Sequence, residues 1–266
     1  MCLILFLYEA HPEYRLILGA NRDEFYERPT APLSYWHERS AVRGAAMATI
    51  LAGRDLRGGG TWMGVTCTGR FAALTNFRDP SANRSGAPSR GALVRDFLGV
   101  RELPLAYAER IARAGTAYNG FNLLVGDRRG ALCYYSNRKP EIHPLKPGIH
   151  GLSNRFLDSP WPKVARGKKA LERVGSNRRI DPEAVLEILA DRVRPPEDLL
   201  PDTGVGLEWE RILSPVFITS PTYGTRSSSV LLVGRDGKVH FVERTFISEG
   251  DAVRVEGTRR FQFAIR

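Results

Sequence analysis

The second residue of the chain is Cys2, directly behind a methionine of the kind removed when its neighbour is small. A mature chain opening on Cys2 would carry a thiol and a free α-amine on one residue. An α-amine titrates near ~7.7–8.0 and accepts a proton at neutral pH, whereas a lysine at ~10.4 is already charged. Cysteine is also the side chain most easily activated as a nucleophile. Nucleophile and base on one residue suit attack on an acyl carbonyl. The plain alternative is a small apolar residue opening a buried strand, a frequent setting for cysteine.

Four polar residues in a row, Asn21, Arg22, Asp23 and Glu24, follow the second apolar run, where a hairpin would return them beside Cys2. Alone they read equally well as a solvated turn with a weak ion pair. Asn76 and Asn154 each close an apolar run, so each could donate a side-chain N–H to a developing oxyanion or form an ordinary Asx turn. Arg226 lies within YGTRSSS (residues 223–229), at the head of a late apolar run. That setting suits a carboxylate, phosphate or amide, and equally a polar strand-entry loop.

The elements that must position these groups follow from periodicity. Apolar runs over residues 3–8 and 15–20, split by a proline-bearing polar turn, predict a hairpin. Residues around Pro29 and Pro32 read as irregular, and Gly58, Gly59 and Gly60 lead into a second hairpin over residues 61–66 and 71–76. Helical spacing covers residues 90–98, with Ser89 as expected N-cap, and 104–114. Strands are expected over 121–125, 131–135 and 148–153, then helices over 161–174 and 181–193, the latter capped by Asp181 with Pro182 at its first position. Residues 195–210 read as loop, before closing strands over 216–219, 229–233, 239–244 and 261–265, with Asp236-Gly237 as a hairpin turn. Strands joined by hairpins and alternating with helix pairs predict an α+β fold with mainly antiparallel sheets, which a four-layer αββα sandwich satisfies.

Composition excludes several classes. The chain has 266 residues and is 42% hydrophobic, enough for a core without staples. Its three cysteines are far apart and no Cys/His cluster has metal-ligand spacing, so neither a disulfide framework nor a metal site is expected. No basic segment precedes the first apolar run and no run reaches the ~20 apolar residues of a spanning helix, so a cytoplasmic protein without an integral membrane segment is expected. Lys+Arg 39 against Asp+Glu 29 gives a net charge of +10, which suits an anionic partner. The arginines are scattered without interleaved aromatics, so a small anionic or amphiphilic ligand is expected rather than nucleic acid.

Met1-Cys2, GANRDEF (19–25), GGTWMG (59–64), ALTNF (73–77), YNGFNL (118–123), GLSN (151–154) and YGTR (223–226) together resemble the NRDE family, also called the transport and Golgi organisation protein 2 family. The resemblance runs in order along almost the whole chain and implies one domain over residues 1–266. That family is similar to N-terminal nucleophile hydrolases of the choloylglycine hydrolase and penicillin V acylase type, and so implies the αββα sandwich. It implies catalytic roles for Cys2, Asp23, Asn76, Asn154 and Arg226, and substrate binding by Asn21, Arg22, Glu24, Gly59, Gly60, Trp62 and Tyr223, with no cofactor required. The hydrolases carry Arg-Asn-x-Asp where this chain has Ala20-Asn21-Arg22-Asp23. Either Arg22 takes over from the missing arginine or catalysis is lost. The resemblance implies two functions of different class. One is a cysteine amidohydrolase acting on a non-peptide C–N or thioester bond of a small amphiphile. The other is an intracellular carrier of haem or acyl-CoA, in haem trafficking or lipid homeostasis, that uses the same cleft. Histidines 11, 37, 143, 150 and 240 are dispersed and form no haem-attachment motif.

Overall fold

The computed structural model describes residues 2–39, 47–249 and 252–266. The chain begins with strands β1 (Cys2–Tyr8), β2 (Tyr14–Phe25), β3 (Thr30–Arg39), β4 (Met47–Asp55), β5 (Met63–Thr66) and β6 (Phe71–Asn76). Helices α1 (Gly91–Gly99) and α2 (Pro104–Ala114) follow, then β7 (Phe121–Gly126), β8 (Leu132–Ser136), β9 (Lys139–Pro144) and β10 (Gly148–Leu152). Next come α3 (Pro162–Gly175), α4 (Pro182–Leu189) and α5 (Leu207–Ile212), and finally β11 (Tyr223–Gly234), β12 (Lys238–Glu249) and β13 (Ala252–Ala264).

These elements form two compact units that interleave along the sequence. The first takes Met1–Glu27, Arg78–Ser81 and Lys146–Ala264; the second takes Arg28–Phe77, Ala82–Leu145 and Ile265–Arg266. The first unit is built on an antiparallel sheet in the order β10-β1-β2-β11-β12-β13. Alternate residues of its central strands face opposite ways. Leu3, Leu5, Ile17, Val230, Leu232 and Val242 meet Val164 and Leu171 of α3 and Val185, Leu186 and Leu189 of α4. Ile4, Phe6, Leu18, Leu231 and Phe241 on the opposite face are also buried, which is why these strands read as continuous apolar runs. Helix α3 closes onto β1 at Gly167, where an added Cβ would stand 2.4 Å from Leu5 Cδ1.

The second unit carries an antiparallel sheet in the order β3-β4-β5-β6-β7-β8-β9. Leu93, Val94, Phe97 and Leu98 of α1 and Tyr107, Ala108 and Ile111 of α2 cover it through Ile50, Leu74, Leu123 and Tyr135. The Tyr107 hydroxyl donates to the Leu93 carbonyl at 2.7 Å, so the buried phenol is satisfied between the two helices. Each unit thus supplies one helical layer and one antiparallel sheet, the α+β composition expected.

Local departures have local causes. The stretch around Pro32 is strand β3, because β3 is the edge of its sheet and a register shift between Ala31 and Ser34 spans the proline. Strand β9 is a second edge not evident from the sequence. Helix α1 is capped at Arg90 rather than Ser89, with no side-chain cap, whereas the Asp181 carboxylate caps α4 by accepting from Glu183 N at 3.0 Å. Helix α4 ends at Leu189, and the supposed loop over 195–210 contains a 3-10 turn at Glu197–Leu199 and most of α5. Residues 216–219 form no strand. Phe217 N donates to Asp191 O, Ile218 N to Thr225 Oγ1, and the Val216 carbonyl accepts from Asn21, so single partners replace a ladder. Among the described residues no helix is long and apolar enough to cross a membrane.

Candidate functional site

Cys2 heads β1 half-buried, and the antiparallel register sets it opposite Arg22. Asn21, Arg22 and Asp23 are 1%, 5% and 1% exposed, so the polar run is strand interior rather than solvated turn. β2 continues to Phe25 because β11 pairs along its far side, Tyr223 with Phe25, Gly224 with Glu24 and Thr225 with Asp23. A bulge then shifts the register so that Ser227 faces Arg22 and Arg226 falls outside the ladder. The half-buried Arg226 guanidinium donates to the carbonyls of Phe25 (3.0 Å) and Tyr26 (2.9 Å), tying the end of β2.

Strand alternation divides the run. Arg22 shares the face of Cys2, while Asn21 and Asp23 share the face that the helices cover. The Asn21 amide donates to Leu189 O (2.8 Å) and Val216 O (2.9 Å) and accepts from the Ser228 hydroxyl (2.6 Å), which commits it to holding α4 and the 216–219 segment on the sheet. The Asp23 carboxylate accepts from Thr225 Oγ1 at 2.8 Å. Burial raises the Asp23 carboxyl above its ordinary range, opposed first by the charge of Lys163. Burial also pushes the Cys2 thiol up, and the nearby Asp23 charge adds to this, while Arg22 and the Asp23 backbone amide pull the other way. Glu24 is half-buried, with its carboxylate accepting from Phe25 N. Tyr223 is buried edge-on to Phe25 and Trp209, and its phenol is held well above the ordinary range by burial first and then by Asp23.

The segment after β10 brings Ser153 and Asn154 to the same unit. Ser153 Oγ lies 3.4 Å from the Cys2 carbonyl and 3.2 Å from Asn154 Oδ1. Asn154 is fully buried; its carbonyl accepts from Arg78 N at 2.7 Å, and Arg78 Nη2 lies 3.5 Å from its Oδ1. With Oδ1 accepting, the amide nitrogen of Asn154 is the donor end. Arg78 is itself held by Glu210 (2.5 Å), and Glu210 accepts from Thr203 N and Oγ1. The loop that carries Asn154 is knotted by Asp158, whose N donates to Gly151 O and whose carboxylate accepts from Gly151 N, His150 and Lys168. Asp158 adopts a left-handed backbone, φ 57°, to make that closure.

Asn76, Gly59, Gly60 and Trp62 belong to the second unit. Asn76 closes β6 opposite Phe121. Gly59 takes φ 69°, and a Cβ on Gly60 would stand 2.3 Å from the Gly91 carbonyl carbon, so this pair lets the chain pass the start of α1. The Trp62 ring fills the space over Gly53.

Sequence reasoning missed Lys163, Arg78 and Glu210. Lys163 follows the proline that opens α3, where a lysine reads as solvated, yet it is 4% exposed with its Nζ donating to Leu213 O at 2.9 Å. Burial lowers its ammonium to about 8, while Asp23, Cys2 and Glu210 support the charge. Thr225 was within reach, since it sits inside the YGTR run. Beside α3 lies a groove of about 440 Å³ with Arg166, Lys169 and Arg194 on its walls together with Pro195, Pro196 and Val216. Among the described residues no group of three or more His, Cys, Asp or Glu is placed to hold a metal ion. His11 is buried and bonded, its Nε2 to Asn177 O and its Nδ1 accepting from Glu13 N.

The fold resembles that of the C2A mutant of conjugated bile acid hydrolase from Clostridium perfringens, with TM-score 0.50, 11% identity, and coverage of 100% of this chain and 97% of that one. Relatives closer in sequence include the Transport and Golgi organization protein 2 homologs of Bos taurus, 37% identical over 97% of both chains, and Homo sapiens, 36% identical over the full length of both. The Transport and Golgi organisation 2 family model matches residues 1–248, a span that takes in Cys2, the buried run in β2, the Asn154 loop and the β11 bulge, and the chain belongs to that family.

Proposed function

We propose that the protein is a cysteine-nucleophile acyl hydrolase acting on a non-peptide C–N or thioester bond of a small amphiphilic substrate. The observation that carries this reading is the placement of Cys2, half-open at the head of an interior strand, with Arg22 opposite it on the same face and the Thr225-clamped carboxylate of Asp23 next along β2 on the helix-covered face. Removal of Met1, which lies outside the described residues, would free the α-amine of Cys2. The thiol proton passes to that amine directly or through water, and the sulfur forms a bond to the carbonyl carbon. The C–N or C–S bond then breaks, and the departing amine or thiolate takes the proton. Water hydrolyses the resulting thioester, releasing a carboxylic acid and restoring the thiol. Asn154, buried beside the Cys2 carbonyl through Ser153, would donate its amide N–H to the oxyanion, and Arg22 supplies positive charge on the face of Cys2. The cysteine at position 2 of the bile acid hydrolase of like fold supports the same reading.

A carrier of an anionic amphiphile in the cytoplasm, such as haem or acyl-CoA, is the second reading. The groove beside α3 favours it, because cations on its walls and prolines and valine between them suit an acidic group on an apolar body. Intact-mass measurement after exposure to N-acyl amides, aryl esters, acyl-CoA thioesters and haem separates the two. An acyl adduct that disappears in Cys2→Ala establishes the hydrolase. Ligand affinity kept within a few-fold in Cys2→Ala, with no adduct from any donor, establishes the carrier instead.

A further inference from the structure

The segment that returns from β10 to α3 carries Ser153 and Asn154 and is closed on itself by Asp158. One oxygen of the Asp158 carboxylate accepts from Gly151 N (2.9 Å) and Lys168 Nζ (2.6 Å), and the other meets His150 Nδ1 at 2.8 Å. A residue other than glycine keeps the left-handed backbone of Asp158 only where its surroundings over-determine it, and three donors on one carboxylate do so. His150 lies on β10 opposite Phe6 of β1, with the two ring centroids 5.2 Å apart. Its second nitrogen, Nε2, faces the Lys146 carbonyl at 3.0 Å. Both groups that bracket the imidazole can only accept: the carbonyl has no proton, and the Asp158 carboxyl, titrating at about 2, is ionised. A neutral imidazole has a single N–H and would leave one of these acceptors facing a lone pair. The imidazolium, with two N–H groups, satisfies both.

We infer that His150 is a positioning residue, an imidazolium whose two N–H groups join Lys146 to Asp158 and whose deprotonation loosens the segment that holds Ser153 and Asn154 near Cys2. What that segment does in catalysis rests on the proposed hydrolase reading; the clamp does not. The charged groups around His150 are Asp158, across the closed segment, and Lys168, reaching in from α3. β1 contributes the Phe6 ring, and the stretch before β10 the Lys146 carbonyl. The bond to Asp158 raises His150 above its ordinary 6.5, against burial and the Lys168 charge. The clamp is therefore complete below 6.5 and is lost as pH climbs through the raised value. A neutral ring then keeps one acceptor and gives up the other. Ser153 Oγ meets the Cys2 carbonyl and the Asn154 carbonyl accepts from Arg78 N, so the release is felt at the head of β1.

Two NMR readings on the unaltered full chain test this. Long-range 1H–15N spectra of the imidazole rings should show both His150 nitrogens mostly protonated at pH 6.5, with a midpoint above that value. The His150 signals are identified by their loss in His150→Gln and by through-space contact with the Phe6 ring. Hydrogen exchange at the Gly151 and Asp158 amides, corrected for the intrinsic effect of pH, should quicken by about tenfold or more as pH crosses that midpoint. In Asp158→Asn the midpoint should fall and the exchange step at Gly151 should vanish. A single neutral tautomer at pH 6.5, or exchange at Gly151 that ignores the His150 midpoint, overturns the inference. Because both readings are made on the unaltered chain, poor folding of a variant leaves the test intact. The catalytic half is read by intact-mass acylation with an aryl ester: the rate advantage of the unaltered chain over His150→Gln should shrink above the midpoint, and an advantage independent of pH overturns the positioning role. A chain that no donor acylates but whose His150 behaves as stated removes the hydrolase reading and leaves the clamp standing; an acylated chain with a neutral His150 at pH 6.5 does the reverse.

Discussion

Glu210→Gln is the sharpest perturbation of the buried charges. Arg78 and Glu210 are 5% and 4% exposed and meet at 2.5 Å, so replacing the carboxylate leaves a guanidinium with little access to water. Gln keeps the shape and retains an oxygen for Thr203, but it turns a charged acceptor into a neutral amide whose N–H2 faces another donor. Removing one member of a buried pair costs about 3–5 kcal/mol, because the partner's desolvation goes uncompensated. Taking both members away is milder, so Arg78→Met/Glu210→Met should cost less than the two single changes summed, with a coupling of about 2 kcal/mol or more. Urea unfolding monitored by circular dichroism measures each variant, and the midpoint shift carries the answer if the slope is unchanged. A loss below about 1 kcal/mol for Glu210→Gln, or strictly additive costs in the cycle, would refute the claim that this pair is mutually dependent.

Three further outcomes are expected. Thr225→Val removes the hydroxyl that donates to Asp23 and accepts from Ile218 N, and should cost about 1.5–3 kcal/mol in urea unfolding; a loss within 0.5 kcal/mol of zero, by the same order-of-magnitude scale, would count against it. Although burial pushes its carboxyl up, bonds from His150, Lys168 and Gly151 N hold Asp158 down at about 2, so its stabilisation is present above its ordinary value of 3.8 and is lost as pH falls through about 2. With the carboxylate a third exposed, that is about 1 kcal/mol after solvent screening, and Asp158→Asn should flatten the acid limb of a stability-against-pH curve. His150, raised chiefly by its bond to Asp158, works in the opposite sense: its share is present below its ordinary 6.5 and lost as pH climbs through the raised value. Gly167→Ala forces a methyl against Leu5 and should destabilise by about 1–3 kcal/mol, with thermal unfolding as the readout and an unchanged midpoint as the contrary result.

The sequence made Cys2, its strand and the returning β2 legible, because apolar runs and a polar turn are local signals. The polar run was legible as a cluster of functional groups but not as strand interior. What satisfies Asn21 and Asp23 lies far along the chain, Leu189 at a separation of 168 residues and Thr225 at 202. Lys163, Arg78 and Glu210 escaped for the same reason: nothing near a lysine at the start of a helix shows that it turns inward. β3 was hidden by Pro32, whose meaning depends on whether its strand is an edge, and α5 was hidden by brevity in a proline-rich, acidic stretch. The antiparallel α+β class emerged correctly because hairpin spacing leaves few other ways to pair the strands.

The strand order β10-β1-β2-β11 has a consequence for how the protein is made. The first hairpin leaves the ribosome early, with apolar residues on both faces and two open edges. Its lasting neighbours, β10 and β11, are synthesised only in the second half of the chain. Until then Leu3, Ile4, Leu5, Ile17 and Leu18 form a sticky nascent ribbon that must be shielded by chaperones or by slow, reversible collapse. A transcript cut short before Tyr223 would therefore yield a polypeptide that contains Cys2 and the whole polar run of β2, yet lacks the strand against which that run is buried. Truncation near the carboxyl end should thus produce insoluble protein rather than a weakened one.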